Sequence, residues 1–301
     1  MKRLLFIVNG HSGKGQIKNK LLEIVDLMIK KEYKVEIHTT QRREDATEIV
    51  RERAKDYDLI VCSGGDGTLD EAVTGMMQSG VRVPLGYIPA GSTNDFANSL
   101  NIPKDMIRAA QIAVEGVPFS CDVGEFNGDF FIYVAAFGIF TDVSYATSQE
   151  MKNVLGHVAY LLEGAKRLPS IKSYYIRVEY DEKVVEGEFL LGMITNSISV
   201  GGFKGMTGKN VKLDDGLFEV TLVHKPKNIL EWNQIIAGLT NLKDTTEYVD
   251  SFRADKIKFY SKETIPWTLD GEYGGDHQEV LIENRHQAID IMVQTTNEKD
   301  A

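Results

Sequence analysis

Ser63-Gly64-Gly65-Asp66-Gly67-Thr68 is the stretch of this chain whose residue types and order carry the most definite chemistry. It follows the apolar run Leu59 to Ser63 and precedes a helical pattern, Thr68 to Ser79. Its glycines remove β-carbons from the turn, so backbone N–H groups can approach an anion, and the N-terminus of the following helix adds its dipole. Phosphate is the natural occupant. Asp66 would repel that phosphate unless a divalent cation or its waters lay between them, so the turn implies a metal-loaded nucleotide. A plainer structural account makes Thr68 and Glu71 a capping box over a tight turn. That accounts for two residues but not for an aspartate ringed by glycines.

Two further turns have related composition. Asn9-Gly10-His11-Ser12-Gly13-Lys14-Gly15 is glycine-rich with one lysine, but lacks the G-x-x-x-x-G-K-[ST] spacing of a P-loop, as does Gly202 to Asn210. His11 has no partner histidine nearby in sequence and reads as a solvated loop residue. Pro89-Ala90-Gly91-Ser92-Thr93-Asn94-Asp95-Phe96-Ala97 repeats the order of glycine turn, hydroxyls and helix. Each turn alone is bland; three at the ends of successive strands would converge on one crevice.

The elements needed to bring them together are legible. Apolar runs at Leu4 to Val8, Val35 to Thr39, Leu59 to Ser63 and Leu85 to Pro89 alternate with helical patterns at Ile17 to Lys31, Asp45 to Asp56 and Thr68 to Ser79. In the first helix Leu21, Ile24, Val25, Met28 and Ile29 share a face. This march predicts a parallel sheet covered by helices, with ligands met at the carboxyl ends of its strands, in Asn9 to Gly15, Thr39 to Glu44, Ser63 to Thr68 and Ala90 to Asp95. Beyond about residue 116 the pattern becomes hairpin-like: Phe130 to Ala136, Tyr174 to Tyr180, Glu186 to Ile194, Leu217 to Val223, Lys256 to Tyr260, Val280 to Glu283 and Ala288 to Val293. Helical insertions are expected at Met151 to Leu168 and Asn228 to Leu242. The expected organisation is an α/β nucleotide-binding domain over residues 1–120, a mainly antiparallel β-sandwich domain over 121–295, and a tail over 296–301.

With 301 residues the chain has room for two domains, and a formal net charge of −10 disfavours general nucleic-acid binding, which needs a basic stripe. No run of about 18 uncharged apolar residues marks a membrane span. Cys62 and Cys121 have no C-x-x-C spacing and read as core thiols in a reducing cytoplasm.

Gly64-Gly65-Asp66-Gly67-Thr68 together with Gly91-Ser92-Thr93-Asn94-Asp95-Phe96-Ala97 resembles the diacylglycerol kinase catalytic-domain family, which includes sphingosine and ceramide kinases. NAD kinases share the first motif but not the second. The likeness spans nearly the whole chain, through Asn9 to Gly13, Cys121-Asp122-Val123-Gly124, Lys212 to Gly216 and Leu269-Asp270-Gly271-Glu272. The resemblance implies an NAD kinase/diacylglycerol kinase-like nucleotide domain, ATP as phosphoryl donor and Mg2+. It implies that Asp66 organises the metal-bound triphosphate, that Asp122 joins it through waters, and that Glu272 is the catalytic proton acceptor. Asn9, Gly10, His11, Ser12 and Gly13 would surround the nucleotide with Thr40, Gly64, Gly65, Gly67, Thr68, Leu69, Asp70 and Thr93; Lys14 and Lys166 would neutralise phosphate charge. A structural divalent ion would be held by the Asp215 side chain and the backbone oxygens of Lys212 and Leu217. Taken alone, Asp214-Asp215-Gly216 is a turn, and Asp270-Gly271 is a strong hairpin dipeptide that can coexist with catalysis at Glu272. Gly10 stands where many relatives have proline, and Asp70 where asparagine is common, which adds negative charge beside a triphosphate.

The function expected is an ATP-dependent lipid kinase that phosphorylates a lipid hydroxyl, with diacylglycerol giving phosphatidate as the first choice. Phosphatidylglycerol, a sphingoid base or a polyprenol are alternative acceptors. The rivals are an NAD-kinase-type enzyme and a nucleotide-sensing binding protein. A cytoplasmic protein of this kind would meet its membrane lipid by peripheral contact at the inner membrane surface. The helix over residues 151–172, with Lys152, Lys166, Arg167 and Lys172 beside an apolar face, is one candidate contact; a core-packed helix is the simpler reading. Phe130, Phe131, Tyr133, Phe137, Phe140 and Tyr145 could line an acyl-chain cleft or pack a strand core. Edge strands in the second domain make a homodimer a further expectation.

Overall fold

The computed structural model describes residues 1–13, 15–139, 172–200, 203–204, 211–240 and 247–295. The chain divides into two units, Met1–Val123 with Arg285–Ala301, and Gly124–Asn284. Residues 285–295, expected in the second domain, thus belong to the first unit, and the first crossing falls three residues beyond the expected boundary at 120.

The first unit runs β1 (Lys2–Val8), α1 (Ile17–Lys30), β2 (Tyr33–Thr39), α2 (Asp45–Arg53), β3 (Leu59–Gly64), α3 (Asp66–Ser79), β4 (Leu85–Pro89), α4 (Asp95–Ser99), α5 (Met106–Glu115) and the start of β5 (Val117–Phe126). Strands β1 and β2, β1 and β3, and β3 and β4 pair in parallel, giving the order β4-β3-β1-β2. Ile291, late in the chain, adds a parallel partner beside Leu85 of β4. Every residue of β3 is buried, as an inner strand covered on both faces requires, whereas the edge strand β2 alternates in exposure. Helix α1 buries Ile17, Ile24 and Met28. Ile29, expected on that face, points outward and is 53% exposed. Helix α5, which the sequence pattern left unassigned, starts at Asp105, whose side chain accepts the Arg108 N–H. Cys62 and Cys121 are both free and buried, and burial pushes the Cys62 thiol up to about 12, as core thiols should behave.

The second unit takes over within β5 and continues through β6 (Asp129–Phe131), β7 (Val134–Gly138), β8 (Tyr174–Tyr180), β9 (Lys183–Thr195), β10 (Ser199–Val200), β11 (Phe203–Lys204), β12 (Phe218–His224), α6 (Ile229–Thr240), β13 (Val249–Ala254) and β14 (Lys256–Leu269) into β15 (Glu272–Val293), which leaves the unit after Asn284. Its principal pairings are antiparallel. Two separate sandwich sheets were expected, but β9 and β14 each serve both layers. Strand β9 pairs with β8 through its first half and β7 through its second; β14 does the same from the other side, so β7-β9-β8-β14 closes as a hydrogen-bonded ring. An irregularity between Tyr260 and Ile265 marks the place where β14 changes partners. The expected short strands at Val280 to Glu283 and Ala288 to Val293 are parts of a single 22-residue strand.

Phe131, Phe137, Phe259, Ile265 and Trp267 lie at the centre of this unit's core, with Phe137 edge-on to Trp267 at 4.8 Å between centroids. Phe131 and Phe137 are fully buried, so these two are packing residues rather than the wall of an acyl cleft. Phe140, Tyr145 and nearly all of the helix expected over 151–172 lie outside the described residues.

Candidate active site

The first unit knits its strand-end turns together. After β1, the Asn9 N–H donates to the Ser63 carbonyl at 2.9 Å, and the Asn9 side chain donates to Thr68 Oγ1 at 3.0 Å while accepting the His11 N–H at 3.0 Å. Ser12 Oγ accepts the Gly65 N–H at 3.2 Å. After β4, the Ala90 N–H donates to the Gly64 carbonyl at 2.7 Å, and Asn94, in the left-handed region at φ 55°, folds its amide back on Gly91. Two glycines are required by contact: a β-carbon on Gly13 would lie 2.3 Å from the Ala90 carbonyl oxygen, and one on Gly91 would lie 2.7 Å from Gly65 Cα. The loops at the ends of β1, β3 and β4 therefore meet, as their composition predicted. Thr40, after β2, is held by its N–H on the Val8 carbonyl at 3.0 Å.

Asp66 opens α3, where the first amides of a helix lack intrahelical partners and favour an anion. Its Oδ2 accepts the Asp95 N–H at 3.0 Å, while its Oδ1 is shut off from solvent with no hydrogen-bond partner. Burial pushes the Asp66 carboxyl up to about 6; the neighbouring Asp95 charge adds to this, and the backbone N–H groups of Asp95, Phe96 and Asn94 oppose it. A buried carboxylate oxygen without a donor is an unfavourable arrangement that a hard divalent cation would satisfy, so these residues fit Mg2+. Asp95, quoted in its motif without a role, is only 2% exposed and is the second carboxylate beside Asp66. An acid in a loop-to-helix turn was the available signal.

Other expected residues are placed differently. Leu69 is fully buried and its N–H goes to the Gly65 carbonyl, so it belongs to the core rather than to a nucleotide surface. Thr68 and Glu71 make no capping box: Gly65 is the N-cap, Thr68 takes the Asn9 amide, and Glu71 reaches to α2. His11 is exposed, Asp70 is partly buried on α3, and the Thr93 carbonyl accepts from the Asn98 side chain. Asp122 is fully buried, and its Oδ1 accepts the Gln287 N–H at 2.7 Å, an anchor for the returning strand. Lys14 and Lys166 lie outside the described residues.

In the second unit Asp270 and Gly271 both have positive φ, 51° and 84°, and turn β14 into β15 with Leu269 opposite Glu272. Glu272 thus stands exposed at the first position after a tight hairpin. What fixes that hairpin is Asp270, which the sequence marked only as a turn residue. Its carboxylate accepts the N–H groups of Ile132 at 2.6 Å, Tyr133 at 3.0 Å and Val134 at 2.9 Å, and its backbone N–H donates to the Val134 carbonyl. Asp270 is 5% exposed.

The turn over Lys212 to Leu217 is built around an ion pair. Asp215 Oδ2 is paired with the Arg253 guanidinium, and its Oδ1 accepts the Leu217 N–H at 3.3 Å. Arg253 also bonds Glu219 Oε1 at 3.1 Å; burial pushes the Glu219 carboxyl up to about 7 against the pull of Arg253. Both Asp215 oxygens thus have protein partners. Among the described residues no group of three or more His, Cys, Asp or Glu side chains gathers as a metal site.

A parallel α/β unit with three interlocked glycine turns, a half-buried aspartate at a helix start and a separate antiparallel β unit defines the class as nucleotide-phosphate-binding proteins. Residues 3–126 match the diacylglycerol kinase catalytic domain. The chain is 35% identical to the diacylglycerol kinase of Bacillus subtilis (strain 168) over 278 residues, covering 91% of both chains. It is 35% identical to that of Staphylococcus carnosus (strain TM300), covering 91% of this chain and 90% of the relative. A crystal structure of a candidate diacylglycerol kinase from Bacillus anthracis str. Sterne superposes with a TM-score of 0.82 at 26% identity, covering 97% of each chain. The chain belongs to the diacylglycerol kinase family.

Proposed function

We propose that this protein transfers the terminal phosphoryl group of ATP to a lipid hydroxyl, with diacylglycerol as acceptor and phosphatidate as product. The observation that carries the reading is the Asp66 carboxylate, with one oxygen anchored on the Asp95 N–H and the other buried without a donor, at the start of the helix that follows the glycine turn. Mg2+ bound there would neutralise charge on the triphosphate. In the first unit the glycine turn of the NAD kinase-like α/β fold orients the phosphates; in the second, Glu272 is assigned as acceptor of the hydroxyl proton as the oxygen–phosphorus bond to the lipid forms and the bond to the departing ADP breaks. The relatives named diacylglycerol kinase support this assignment.

Among the described residues no helix is long and apolar enough to cross a membrane. On this reading the protein meets its lipid by peripheral contact with the membrane surface from the cytoplasm. A structural divalent ion on the Asp215 side chain and the backbone oxygens of Lys212 and Leu217 stays part of this reading, in competition with the Arg253 guanidinium for the carboxylate.

The test supplies γ-labelled ATP and Mg2+ with mixed micelles of diacylglycerol, phosphatidylglycerol, a sphingoid base or a polyprenol, with NAD, and with no acceptor. Label in phosphatidate is the expected result. Label in NAD alone, or in no acceptor at all, would overturn the proposal.

A further inference from the structure

Glu71 takes no part in the glycine turn that precedes it, yet through it α3 holds α2. Its Oε1 accepts the Glu44 N–H at 2.9 Å, its Oε2 accepts the Ala46 N–H at 3.2 Å, and the Thr47 hydroxyl donates to its carbonyl at 3.0 Å. Helix α2 depends on this, because its N-cap residue Glu44 lies in the left-handed region at φ 63° and makes no side-chain cap. Without Glu71 the first amides of α2 would lose their acceptors. The two helices are pressed together at Gly75, where a β-carbon would lie 2.5 Å from the Thr47 carbonyl oxygen.

The loop between β2 and α2 is tied at its other positions as well. The Thr40 N–H goes to the Val8 carbonyl, the Gln41 N–H donates to Asp45 Oδ2 at 2.7 Å, and Asp45 Oδ1 lies 3.2 Å from His38 Nε2. The segment carrying Thr40 is thus suspended between the end of β1 and a carboxylate on α3, the helix that begins with Asp66. In the sheet order β3-β1-β2, the end of β2 lies two strands from the phosphate turn. Two strand spacings are about 10 Å, the reach from the phosphates of a nucleotide to its nucleoside.

We propose that Glu71 is a positioning residue for the nucleotide: from α3 it fixes the loop over residues 40–45, so that the phosphate end and the nucleoside end of ATP are held in one frame. The inference rests on the reading of the first unit as an ATP site that Thr40 helps to surround, and it sets Thr40 at the nucleoside end. Loss of Glu71 should then weaken ligands that have a nucleoside and spare those that have only phosphates.

Calorimetric titration of the full chain with Mg-ATP and with Mg-tripolyphosphate, for wild type, Glu71→Ala and Glu71→Gln, tests it. Glu71→Ala should weaken Mg-ATP about ten- to a hundredfold and change tripolyphosphate by less than about threefold, as expected when only part of the loss of two charge-assisted hydrogen bonds within the protein is felt at the nucleotide. Glu71→Gln keeps one acceptor and should recover part of the loss; it carries the same comparison if the alanine variant fails to fold. Amide exchange at Glu44 and Ala46 should quicken in the order wild type, glutamine, alanine. Equal loss of both ligands, or loss of neither, overturns the role of Glu71 while leaving the nucleotide reading intact. A wild-type chain that binds neither ligand overturns the nucleotide reading itself.

Discussion

Asp66→Asn should cost the protein its nucleotide yet relieve the fold at alkaline pH. The Asp66 carboxyl is raised from 3.8 to about 6 by burial, so the folded chain holds a proton that the unfolded chain releases at lower pH. Its stabilising contribution is therefore fully present below about pH 4 and is lost as pH rises through about 6. Between about pH 5 and pH 8 the loss comes to about 1.4 kcal/mol, roughly 3 °C in melting temperature for a chain of this size. Asparagine keeps an oxygen for the Asp95 N–H but has no charge to bury, so this component of the pH slope disappears in the variant. The desolvation cost of the new amide is the same at both pH values and cancels in the comparison. Melting curves of nucleotide-free wild type and Asp66→Asn at the two pH values give the answer directly: the variant should gain about 3 °C on wild type from low to high pH. Parallel pH profiles, or a variant that loses ground at pH 8, would refute the burial of an unpaired charge at this site. Mg-ATP should stabilise the wild type and leave the variant unmoved.

Glu272→Gln should lower turnover by about a hundred- to ten-thousand-fold with ATP affinity nearly unchanged, as removal of a proton acceptor requires; parallel loss of both, by steady-state kinetics and titration, would contradict the role. Asp270→Ala should destabilise the second unit by about 3–5 kcal/mol in urea unfolding, because three buried backbone donors lose one acceptor, whereas Asp270→Asn should cost less. Arg253→Ala should lower the melting temperature in the absence of metal but increase the gain on adding Mg2+, since it frees the Asp215 carboxylate; no added gain would mean that the turn is solely an ion-pair device.

What the sequence disclosed and what it withheld divide along the range of the interactions. The glycine turn at Gly64 to Gly67 was legible because its logic is local: residues without β-carbons, an acid and a helix start lie within six positions. The parallel strands were legible because fully buried runs such as Leu59 to Ser63 are nearly unbroken in apolar residues. Asp270 looked like an ordinary turn residue because its partners, Ile132 to Val134, lie more than 130 positions away. Glu71 fitted a local capping pattern, but the amides in need of an acceptor were those of α2, 25 and 27 positions back. Strand β15 looked like two strands because its middle, Glu283 to Gln287, is polar; in the fold, Gln287 is held by the buried Asp122.

That long strand also sets an order of events on the ribosome. The second unit is one uninterrupted stretch, Gly124–Asn284, whereas in the first Leu85, paired with Ile60 on one side, lacks its partner on the other until Ile291 has been synthesised. Translation thus delivers the later unit whole before the earlier one is complete, the reverse of the usual N-terminal-first sequence for multidomain chains. A fragment ending at residue 123 would leave one flank of its parallel sheet bare and prone to pairing with a neighbouring molecule.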